Sequence, residues 1–158
     1  MSAWLARWLG VSGARGAEAV IPTRIRRYST ATPTLSGDHI TVEGDAWLVD
    51  THGPWVIRLF EIADPDAEGC LLTYRANLKS EALDGRAFLE MWCRFHGKGE
   101  FFSKGLNQPL RGTTEWASYE IAFRLKKGQR PELIKLNLAV EGSGKVWIKD
   151  VELLKTPR

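Results

Sequence analysis

Cys70-Leu71-Leu72-Thr73-Tyr74-Arg75-Ala76-Asn77-Leu78 and, after a break, Ala87-Phe88-Leu89-Glu90-Met91-Trp92-Cys93-Arg94-Phe95 decide the fold class. In the first run Cys70, Leu72, Tyr74, Ala76 and Leu78 fall on one side, and Leu71, Thr73, Arg75, Asn77 and Lys79 on the other. In the second, Ala87, Leu89, Met91, Cys93 and Phe95 alternate with Phe88, Glu90, Trp92 and Arg94. Side chains of an extended chain point alternately to opposite faces, so this period of two marks strands with one face in a core.

The same period continues outward from these two runs. Ile40 and Val42 alternate upstream, followed by apolar runs at 47–49 and 55–62. Downstream come Phe101-Phe102, then Tyr119, Ile121, Phe123 and Leu125, then Ile134, Leu136, Leu138 and Val140, and a last run at 146–154. The breaks carry turn chemistry: Asp64-Pro65-Asp66, Asp84-Gly85, His96-Gly97, Lys127-Gly128 and Gly142-Ser143-Gly144. The pattern predicts about eight or nine strands. No long helical period follows residue 38, so crossover helices for a parallel sheet are missing. The expected fold is all-β, an antiparallel sandwich or jelly roll.

The start of the chain differs. Trp4, Leu5, Trp8 and Leu9 recur at helical spacing, which predicts a short helix over residues 2–11. Residues 1–33 read as an amphipathic helix and a basic linker, and residues 34–158 as the sandwich. Arg7, Arg15, Arg24, Arg26 and Arg27 stand against Glu18 alone in the first 27 residues, while the whole chain carries a formal +3. The basic excess therefore belongs to the leader and not to a nucleic-acid-binding face of the domain. Trp4, Trp8 and Arg7 suit peripheral contact with an anionic lipid surface. No stretch reaches the roughly 18 apolar residues a membrane span needs. The start also lacks the plan of a secretory signal, which favours the cytoplasm. Cys70 and Cys93 both lie in apolar runs and read as small core residues.

Gly112-Thr113-Thr114-Glu115-Trp116-Ala117-Ser118-Tyr119-Glu120 before a strand, and Gly142-Ser143-Gly144-Lys145-Val146-Trp147-Ile148-Lys149-Asp150-Val151-Glu152-Leu153 at the end, carry a further signal. Together they resemble the galactose-binding-like jelly roll of carbohydrate-binding modules. Gly85-Arg86-Ala87-Phe88-Leu89-Glu90-Met91-Trp92-Cys93 and the Phe101–Leu106 segment resemble bacterial β-sandwich proteins of the same kind. The resemblance covers roughly residues 38–154. It implies a non-catalytic binding module. It also implies that an acidic residue near the last strand helps hold a structural calcium, for which Glu61 and Asp150 are the matching pair, with Lys149 placing a cation beside it. Calcium takes six to eight oxygen ligands. No other cofactor is implied. Gly142 and Gly144 read as a tight hairpin.

No nucleophile elbow, phosphate loop, dinucleotide fingerprint or zinc spacing is present. His39, His52 and His96 are scattered in turns and strand ends. Paired carboxylates can cleave glycosides, and Glu90 and Glu141 could face the same side, but nothing in the sequence marks either as perturbed. The better candidate is a polar sheet face. Alternation puts Arg75, Asn77, Glu90, Trp92, Arg94, Lys135 and Asn137 opposite the core stripes. If these strands are neighbours, they offer an aromatic platform among planar hydrogen-bonding groups, the mixture that sugar recognition requires. The expected function is thus carbohydrate binding or ligand sensing through one sheet face. The alternative is a protein-interaction or scaffold domain using that face, and a hydrolase is the weakest reading.

Overall fold

The computed structural model describes residues 20–157. Nine strands occupy them: β1 (Thr23–Tyr28), β2 (Ile40–Glu43), β3 (Ala46–His52), β4 (Trp55–Ala63), β5 (Cys70–Phe95), β6 (Gly99–Lys104), β7 (Leu110–Arg124), β8 (Leu133–Val140) and β9 (Ser143–Pro157). Among the described residues there is no helix. The predicted helix over residues 2–11, with the membrane contacts assigned to Trp4, Arg7 and Trp8, lies outside the described residues.

The strands pair as four long bent ribbons. β3 and β4 run as one antiparallel partner of β9 and β8: His52 faces Ser143 and, after the Gly53-Pro54 bend, Trp55 faces Val140. β8 and β9 in turn run along the whole of β5, with Arg94 facing Leu133 and Cys70 facing Pro157. β6 and β7 line the other side of β5, with Lys104 facing Glu90 and Leu110 facing Ala87. Halfway along, the ribbons fold over and give two layers. The first sheet has the order β2-β3-β9-β5-β7, using the N-terminal half of β5, with β1 also on β9. The second has the order β4-β8-β5-β6, using the C-terminal half.

The core fills the space between the layers. Leu72, Tyr74 and Leu78 from the first half of β5 and Leu89, Met91 and Cys93 from the second are buried, as alternation predicts. Contacts cross directly: Trp47 of β3 meets Phe60 of β4 edge-on at 5.6 Å, and Phe60 stacks on Tyr28 of β1 at 3.8 Å. The Tyr74 hydroxyl donates to the Asn137 carbonyl across the layers at 3.2 Å. Cys70 and Cys93 are buried free thiols. Burial pushes the Cys93 thiol up to about 12.

The structure corrects two expectations. Asp84-Gly85 and Gly142-Ser143-Gly144 are not hairpin reversals, since β5 and β8–β9 continue in one direction through them. Gly142 is required by contact: a Cβ there would stand 1.5 Å from the Asp84 carbonyl oxygen. The second correction concerns the linker. Thr23–Tyr28, inside the segment read as linker, is an edge strand paired with Lys155 to Val151. It escapes detection because an edge strand here half-buries only Ile25 and Tyr28, too few for a stripe.

Candidate functional site

The polar face expected from alternation divides between the layers. Glu90, Trp92, Arg94, Lys135 and Asn137 come together on the outer face of the second sheet. Arg75 and Asn77 do not join them; they lie on the outer face of the first sheet, across the core. There they fasten strands to one another. Arg75 reaches Glu120 at 3.2 Å and Glu152 at 3.7 Å, and the Asn77 amide donates to Asp150 at 2.7 Å. The sequence hides this split because Asp84-Gly85 has the chemistry of a reversal, whereas β5 continues through it as one bent strand.

The calcium pair is separated in the same way. Glu61 sits in β4 of the second sheet, where Arg58 approaches it at 3.2 Å. Asp150 sits in β9 of the first sheet, where Arg27 approaches it at 3.3 Å. Asp150 has φ 54° and marks a bulge opposite the register shift between Arg75 and Asn77. Among the described residues no group of three or more His, Cys, Asp or Glu converges for a metal ion. The residues present do not fit the implied calcium.

On the second sheet, register sets the site in cross-strand rows. Phe102, Trp92, Lys135 and Glu61 form one row across β6, β5, β8 and β4. Lys104, Glu90, Asn137 and Arg58 form the next. Phe88, Ala139 and Val56 follow toward the bend. Trp92 is half-buried and tilts against Phe102 with ring centroids 5.2 Å apart, and Phe102 is 54% exposed. The Lys104 ammonium lies 4.6 Å from the Phe102 ring centroid. Cation–π attraction of this kind holds an ammonium over an aromatic face.

Glu90 is the hub. Its carboxylate Oε1 accepts from the Trp92 indole N–H and from the Asn137 side-chain amide, each at 3.0 Å. These bonds fix the indole plane and the amide orientation at once. Beside Glu90 the sheet dips into an open depression of about 450 Å³ lined by Trp55, Val56, Phe88, Lys104 and Glu141. Trp55 is 43% exposed at its rim and meets His39 edge-on at 4.6 Å. Around the hub the charges are paired: Arg94 donates to Glu132 at 3.0 Å, and Lys135 stands 2.7 Å from Glu100. Arg86 binds Glu141 through two nitrogens at 2.6 and 2.9 Å, which holds the Glu141 carboxyl below the usual carboxylate range. That is opposite to the raised value a general acid needs.

Alternation in the sequence does not pick out Phe102, Lys104 or Trp55 as site residues. Phe101 and Phe102 are adjacent, so alternation alone does not say which faces outward. Lys104 is two positions beyond Phe102 and shares its face, a signal that becomes readable once Phe102 is placed. Trp55 reads as a core or rim residue, and the structure puts it at the rim while Trp47 is 2% exposed in the core.

No family model matches the chain, and no curated protein matches it in sequence. Solved structures do match in three dimensions. The CBM22-1 xylan-binding domain of Paenibacillus barcinonensis Xyn10C aligns over 89% of this chain and 99% of its own, with TM-score 0.57 and 12% identity. A CBM4 structure aligns over 75% and 76% with TM-score 0.53 and 10% identity. Family 16 carbohydrate-binding module-2 aligns over 74% of this chain and 86% of its own, with TM-score 0.51 and 9% identity. The fold is that of carbohydrate-binding modules. The resemblance to carbohydrate-binding modules read from the C-terminal segments therefore holds at the level of the β-sandwich fold.

Proposed function

We propose that the outer face of the second sheet binds a polysaccharide segment without cleaving it. The observation that carries this reading is the arrangement around Glu90. Aromatic rings at Trp92 and Phe102 and at Trp55 flank a central row of Lys104, Glu90, Asn137 and Arg58. A pyranose ring presents apolar C–H faces and a polar edge of hydroxyls. Exposed rings take the first, and amides, carboxylates and ammonium groups take the second. An open sheet face accommodates a chain running past it, where a closed cavity takes only an end. The likeness in fold to carbohydrate-binding modules supports the same reading.

Affinity electrophoresis tests it. The protein is run in native gels cast with soluble xylan, mixed-linkage β-glucan or galactomannan, beside a gel without polysaccharide. Retardation in at least one polysaccharide, lost in Trp92→Ala and Phe102→Ala, is the expected result. Equal mobility in every gel rejects the reading.

A further inference from the structure

One oxygen of Glu90 accepts no hydrogen bond among the described residues and has only an ion-pair neighbour. The Glu90 side chain is 8% exposed, and Oε1 already accepts two hydrogen bonds. Among the described residues no donor lies within hydrogen-bond distance of Oε2, and its nearest charged neighbour is the Lys104 ammonium at 3.6 Å. A buried carboxylate oxygen without a donor is costly and calls for a partner. Both groups line the open depression beneath Trp55. An acceptor and a donor side by side there present the complement of two adjacent hydroxyls, which stand about a hydrogen-bond length apart on a sugar ring.

We propose, resting on the glycan-binding reading above, that Glu90 Oε2 and Lys104 Nζ together read an unsubstituted vicinal diol on a neutral sugar unit seated in this depression. One hydroxyl donates to Oε2, and its neighbour accepts from the ammonium. Neutrality follows from the surroundings. Arg58, Arg94, Lys104 and Lys135 each face a carboxylate, and the depression's own lining sets Glu90 and Glu141 against Lys104, so an anionic sugar meets no excess of positive charge in the lining. The two donors on Oε1 also fix what a neutral substitution does. In Glu90→Gln the amide oxygen must stay toward Trp92 and Asn137. The amide nitrogen then replaces Oε2, turning an acceptor into a donor.

The probes are xylan and mixed-linkage β-glucan, each native and per-O-methylated so that the rings persist while the diols are capped. Binding is measured by affinity electrophoresis on the parent, Glu90→Gln and Lys104→Met, with thermal melts alongside. The expected result is binding to a native probe, loss on methylation, and weakening by about tenfold or more in each variant. Melts near the parent's assign the loss to the ligand. Equal binding of the methylated probe, or variants that bind like the parent, overturn this inference alone. Where only galactomannan binds, its native and per-O-methylated forms are compared in the same way and decide the inference by the same outcomes. Failure with all three overturns both.

Discussion

Gly142→Ala probes the fold-over that creates the two faces. The new methyl carbon would lie 1.5 Å from the Asp84 carbonyl oxygen and 2.6 Å from its carbon. No rotamer relieves this, because the obstacle is backbone, so β5 must part from β8–β9 at the bend. Separation also strains the bond from the Thr51 hydroxyl to the Gly142 carbonyl, now 2.7 Å. Overpacking a rigid interior typically costs about 1–3 kcal/mol. Here a bond worth about 1 kcal/mol is weakened as well, so we expect about 3 kcal/mol or more. For a domain of this size that is roughly 10 °C in melting temperature. Gly53→Ala is the control at the neighbouring bend: its Cβ meets nothing within 4 Å, so a change within about 0.5 kcal/mol is expected. Urea melts followed by tryptophan fluorescence measure both. A Gly142→Ala protein as stable as the parent would refute the close crossing of the ribbons.

Three further predictions follow from burial and pairing. Met91 is fully buried while Trp92 faces outward, so Met91→Ala should cost about 2–5 kcal/mol and leave glycan binding intact; Trp92→Ala should cost less than Met91→Ala in paired urea melts and abolish binding, and the reverse order would mean the faces are exchanged. The Cys93 thiol is raised by burial from 9.0 to about 12, so the folded state holds its proton where the unfolded chain releases it. That contribution is intact below pH 9 and is lost as pH rises toward 12; Cys93→Ala should flatten the pH dependence of the urea midpoint across this window, and an unchanged slope would count against it. Removing residues 1–22 should leave the melt cooperative, whereas removing residues 1–28 takes away β1 and the Tyr28–Phe60 stack and should lower the melting temperature measurably; identical melts for the two would show that β1 adds nothing.

Much of the fold is legible in particular side chains. The stripes at Cys70–Leu78, Ala87–Phe95 and Ile134–Val140 are strands with the predicted faces inward. What the residues do not reveal is the path between stripes. Asp84-Gly85 and Gly142 have the chemistry of a reversal, and a bend within a continuing ribbon needs the same residues. That ambiguity is why alternation groups Arg75 and Asn77 with Trp92, although they lie across the core. β1 was invisible because Thr23–Tyr28 carries arginines whose partners, Glu152 and Asp150, are more than 120 positions away. The heart of the site was legible for a simple reason. Glu90 and Trp92 are two residues apart on one strand, so alternation alone puts them on one face. Their bond and the link to Asn137 needed the third dimension.

The most direct test of the account is a nitrogen-15 amide and indole NMR titration of the full chain with xylohexaose and cellohexaose. The account predicts shifts at the Trp92 and Trp55 indoles, at the Asn137 side-chain amide and along Phe102 to Lys104. It also predicts silence at Trp116 and Trp147, which with Lys79 and Lys149 form a separate cluster on the outer face of the first sheet. Shifts confined to Trp116 and Trp147, or none with either sugar, would contradict it.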